Sequence, residues 1–76
     1  MTAGMKDVRS YIDELERSKE GRPEQVRDGL EIYIGLWEKA IARGVVEETD
    51  GVDRALAKIE EEGGLYAAAG ESGGAS

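Results

Sequence analysis

Apolar residues recur along this chain at steps of three and four, in three separate runs. In the first, Met5, Val8, Ile12 and Leu15 are spaced by 3, 4 and 3, with Tyr11 beside them. At about 100° per residue they fill about 120° of a helical wheel, the stripe of a surface helix. Charged residues take the other face, where Asp13 and Arg17 form an i,i+4 pair in the favourable order. Gly21 suits a helix end and Pro23 cannot continue the same helix, so the spacing predicts a helix over 5–20.

The second run holds Val26, Leu30, Ile32, Tyr33, Ile34, Leu36, Trp37, Ala40 and Ile41. Leu30 to Trp37 is rich enough in β-formers to read as a strand. The run does not alternate, however, and its helical spacing persists beyond four turns, which favours a helix over 23–43. Pro23 fits its first position, and Arg43 and Gly44 fit its end. The apolar arc spans about 200°, too broad for a helix packed on one side only. The third run is narrow: Val52, Leu56 and Ile59, with Ala55 at its edge. Asp50 reads as the N-cap of a helix over 51–62, with Asp53 completing a weak capping box. Gly63-Gly64 stops it, Leu65 is placed to fold back on Ile59, and 65–69 can add one short turn. Composition makes 71–76 a flexible Gly/Ser tail beside a single helical domain over 1–70.

The expected fold is therefore all-α: three helices with the broadly apolar second one at the centre. The chain has 76 residues and no Cys, so its core is small and carries no disulfide staple. That raises the weight of association as a source of stability.

Charge narrows the partners. The chain carries 17 acidic and 10 basic groups, net −7, and residues 45–62 alone hold seven acidic and two basic groups. An acidic surface repels phosphate backbones and anionic membranes, so neither nucleic acid nor membrane is an expected partner. No apolar stretch approaches a membrane span, and MTAGMKDVRS lacks the pattern of a secretory signal. A cytoplasmic location is the expectation.

Candidate chemistry is sparse. With no His and no Cys, triads and thiolate metal sites are excluded. Glu24, Asp28, Glu31 and Glu38 share the polar arc of the second helix without the His of a di-metal motif, which reads as a solvated face. Placing Gly51 at the sixth position of a calcium loop puts Val46 first and Ala57 twelfth, where oxygen donors are needed. No phosphate-cradling motif occurs, and no Ser sits in the Asp-Ser-Leu context of an acyl carrier. No catalytic, cofactor-binding or metal residue is expected.

What remains is the second helix. Tyr33 and Trp37 are aromatic anchors at i,i+4, Gly29 lies within the apolar arc, and Ile32 and Leu36 lie at its edge opposite Ile34. The candidate interface is Gly29, Ile32, Tyr33, Leu36 and Trp37. The expected function is a non-enzymatic protein–protein interaction module, self-associating as a homo-oligomer or serving as a subunit of a larger complex. The alternative is a regulator that binds a transcription factor or enzyme through its acidic third helix. An apolar-ligand site opening at Tyr33 and Trp37 is a further option.

Overall fold

In the computed structural model, which describes residues 6–71, four helices follow one another with no strand among the described residues. They are α1 (Val8–Ser18), α2 (Glu24–Ala42), α3 (Val52–Glu62) and the short α4 (Leu65–Ala68). The three long helices are those the apolar spacing predicts, with ends drawn in by one to three residues except at Glu62, where α3 stops as expected. The contribution expected of Met5 lies outside the described residues.

The start of α1 shows why its end moved. The first four N–H groups of a helix need partners from elsewhere. Here Val8 N–H donates to the Asp50 carbonyl at 2.8 Å and Arg9 N–H to the Glu48 carbonyl at 3.1 Å. Ser10 N–H donates to the Asp7 side chain at 3.0 Å, and Tyr11 N–H closes the first turn on the Asp7 carbonyl at 3.0 Å. Asp7 is thus the N-cap, and the helix is fastened to the α2–α3 loop. The same junction starts α3: Val52 N–H donates to the Lys6 carbonyl at 3.0 Å.

Asp50 is therefore not the cap of α3; Gly51 holds that position without a side-chain hydrogen bond. The Asp50 carboxylate instead accepts from Glu47 N–H at 3.0 Å and from Lys58 Nζ at 2.7 Å. Its job is to close the loop and tie it to α3. Pro23 likewise sits one residue before α2, as its N-cap, with extended ψ. The i,i+4 ion pair on α1 is Arg9–Asp13, at 3.9 Å, rather than the expected Asp13–Arg17.

The ends of α2, α3 and α4 share one device. Around Gly44, Gly63 and Gly70, paired bonds close the last turn, as in Gly63 N–H to Glu60 O and Gly64 N–H to Ile59 O, both 3.0 Å. This is the Schellman pattern expected after α3. Glu60, Glu61 and Glu62 all face solvent, which is how three carboxylates are tolerated at a helix C-terminus.

The core gathers Val8 and Ile12 from α1, Ile34, Trp37 and Ala40 from α2, Val46 from the loop, Ala55 and Ile59 from α3, and Ala68 from α4. Two corrections to the expected third helix follow. Ala55, placed at the edge by spacing, is fully buried, whereas Leu56 is 45% exposed. A methyl side chain lets α3 approach its neighbours closely, and the helix rolls until Ala55 rather than Leu56 faces them. The second concerns the role of α4, the short turn expected over 65–69. It packs on both α2 and α3 and covers part of the arc that the sequence assigned to another chain.

Because Asp50 is nearly enclosed, with 13% of its side chain accessible, its titration should be visible in folding. The Lys58 ammonium, and secondly the Glu47 N–H, hold its carboxyl below the usual range. A carboxyl lowered on folding contributes stability above its unfolded value, near about 3.9. That contribution is lost as pH falls through the folded value. Urea titrations at pH 7 and near pH 3 should show a steeper acid loss for the parent than for Asp50→Asn. Equal losses would refute the role assigned to this pair.

Candidate interaction surface

The five candidate residues of α2 do not share one environment. Trp37 is fully buried and Leu36 is buried as well, so neither can meet a partner in the folded chain. Tyr33 is half-buried against the core, while Gly29 and Ile32 are exposed. The pairing of Ile32 with Leu36 as one outward edge is therefore corrected: the two lie one turn apart on a face that is covered at Leu36 and open at Ile32.

Trp37 belongs to an aromatic cluster. Its ring meets Tyr11 edge-to-face at 5.5 Å between centroids and Tyr33 at 6.5 Å. The Tyr11 and Tyr33 hydroxyls share a hydrogen bond of 3.1 Å. Burial, reinforced by that bond, pushes the Tyr11 hydroxyl up to about 12. The Trp37 indole N–H is buried with no acceptor among the described residues. Tyr33 and Trp37, with Tyr11, thus hold α1 against α2.

The burial pattern of α2 follows one direction along its wheel. At about 100° per residue, Leu36 and Ala40 project within about 20° of the direction of Gly29, and Val26 and Ile32 lie about 60° to either side of it. This is a single uncharged stripe. Its C-terminal half lies under α4. The Arg43 guanidinium donates to the Ala67 carbonyl at 3.1 Å and the Ala68 carbonyl at 2.8 Å, and Lys39 pairs with Glu71. Glu71, grouped with the tail by composition, is part of this fastening; residues 72–76 lie outside the described residues.

A four-residue helix cannot reach further, so the N-terminal half of the stripe is uncovered. Val26 is 43% exposed and Ile32 59% exposed. Between them, a Cβ added at Gly29 would meet no atom within 4 Å, so Gly29 forms an open floor. Gly35 is equally open, and nothing in the structure explains a glycine there. Val26 was the member of this surface that the sequence reading missed. Its signal was its place three residues before Gly29 and six before Ile32.

The carboxylates behave as a solvated face. Glu24, Asp28, Glu31 and Glu38 are exposed, and Glu31 lies 3.5 Å from Lys19. Among the described residues no three ligand-type side chains gather closely enough to hold a metal ion. Nor is any helix there long and apolar enough to cross a membrane.

No family model, no curated protein and no solved structure matches this chain.

Proposed function

We propose that this protein is a small non-catalytic interaction module whose contact surface is the uncovered face of α2, centred on Gly29 and flanked by Val26 and Ile32. The observation that carries the reading is the exposure of Ile32, at 59%, on a stripe that is buried one turn later. Full burial of such a side chain is worth roughly 1.5–3 kcal/mol. Exposed apolar groups that continue a packed seam favour association. The small floor at Gly29 supports close approach of another helix.

Ile32→Lys tests this with little risk to the fold, because an exposed position away from caps and core changes stability by only about 0.5 kcal/mol. The tagged parent should purify from its host with a stoichiometric polypeptide, its own second copy or another chain, and the variant should not. Light scattering on the eluate distinguishes the two kinds of occupant. Identical composition for parent and variant, with identical melting curves, would remove the reading.

A second reading places the contact on α3, acting as a regulator's acidic face. It is favoured by Leu56, 45% exposed on the same helix as Asp53 and Glu60. Leu56→Lys discriminates: it should spare the association if α2 carries it and abolish it if α3 does.

A further inference from the structure

The open face of α2 has a shape and an electrical character that select among occupants. Resting on the interaction reading above, we propose that it receives a short amphipathic helix with basic flanks from another protein, rather than a second copy of this chain.

Area is the first argument. Stable interfaces remove about 800 Å² from each partner. The uncovered stripe runs only over residues 24–32, and its large apolar members, Val26 and Ile32, are already about half-buried. That is too little for a self-supporting homodimer. It matches the contact of two to three turns of a peptide helix laid along Gly29.

Charge is the second. Each copy carries net −7, so two copies repel on approach. An antiparallel two-fold pairing across Gly29 would also bring the Asp28 side chains of both copies to the same edge of the contact. For a basic helix the same features are attractive. Along the Ile32 margin of the stripe stands Asp28, about 100° from Gly29, with Glu24 about 40° further round the helix; neither forms an ion pair among the described residues. Arg27 projects about 160° away from Gly29, on the far side of the helix. Further along that margin Lys39 is neutralised by Glu71. A partner helix with leucine-type residues over Gly29 and lysines toward Asp28 buries its apolar face and meets unpaired carboxylates at the rim, where complementary charge speeds encounter and fixes orientation.

The probe is a fluorescein-labelled fourteen-residue peptide (about four turns) of leucine and lysine with leucines at i, i+3, i+4 and i+7, compared with its glutamate counterpart. Anisotropy is read against the full chain. The parent should bind the lysine peptide in a salt-sensitive way and ignore the glutamate one. Ile32→Ser should weaken binding by about tenfold, a 1.4 kcal/mol change. Asp28→Asn should weaken it several-fold and flatten the salt dependence, whereas Leu56→Ser and Glu61→Gln should leave it unchanged.

Equal losses in Asp28→Asn and Glu61→Gln would show diffuse charge attraction and overturn the proposal. Loss in Leu56→Ser would move the contact to α3 and overturn it too. If the peptide does not bind but light scattering finds an Ile32-dependent dimer, the interaction reading stands and its occupant is a second copy. Absence of both results removes the two readings together.

Discussion

Trp37→Ala should remove most of the protein's stability, leaving it marginally folded at room temperature with a strongly lowered melting temperature. The side chain is fully buried at the centre of the molecule and packs edge-to-face against Tyr11 and Tyr33. Truncating a buried aromatic to Ala costs about 3–5 kcal/mol, through lost transfer energy and the cavity left behind. A domain of this size has a total stability near about 5 kcal/mol. The truncation also removes the ring that joins α1 to α2, so the Tyr11–Tyr33 hydrogen bond loses its support. Far-ultraviolet circular dichroism against temperature is the measurement, with Trp37→Phe as the milder companion. Phe keeps most of the apolar volume and deletes the indole N–H that has no acceptor among the described residues. A drop of only a few degrees for Trp37→Ala would show that the core does not turn on this residue.

Gly64→Ala should cost about 1–3 kcal/mol, the magnitude of strain stored at a backbone position that essentially only glycine adopts. Gly64 links α3 to α4 with φ 121° and ψ 173°. A Cβ has room there, since no atom lies within 4 Å of its position, so the penalty is conformational rather than steric. The strain can be relieved only by changing the direction in which the chain leaves α3. That would lift α4 away from α2 and expose Ala68 and Ala69, both buried. Hydrogen exchange offers the sharper readout. Amides of 68–71, which bond back to Gly64, Leu65, Ala67 and Tyr66, should lose protection before those of α1. Unchanged protection in 68–71, with stability equal to the parent, would show that the turn accommodates Ala without strain.

The second prediction bears on the proposed contact surface, because α4 sets where the open part of the stripe begins. With α4 lifted, the stripe would extend from Val26 to Ala40. The Gly64→Ala variant should then bind apolar dye more strongly than Ile32→Ser, which shortens the same stripe from its other side.

The three long helices and the all-α class were legible in the sequence, because they rest on local physics; the central place expected of α2 was not, since α2 packs on α1 and α4 while α3 packs on α1 and α4. Steps of three and four set the periodicity, Pro23 bars a continuous first helix, and Gly44 and Gly63 supply left-handed stops that other residues resist. The net charge and the missing His and Cys restricted the chemistry just as directly. Tertiary structure decided which apolar residues were left over. A wheel shows the direction of Ile32, Leu36 and Trp37 but not what stands opposite each of them. That depended on the roll of α3 onto Ala55, on Val46 entering the core from a loop with no periodicity, and on α4, whose burial comes from alanines that carry little hydrophobic signal. It depended also on Asp50, whose side chain found Lys58 eight residues away instead of the helix it precedes. Periodicity is a property of neighbours three and four apart, whereas coverage is set by residues distant in sequence. So the helix that carries the contact surface could be read from the chain, and the stretch of it that stays open could be found only once α4 was in place.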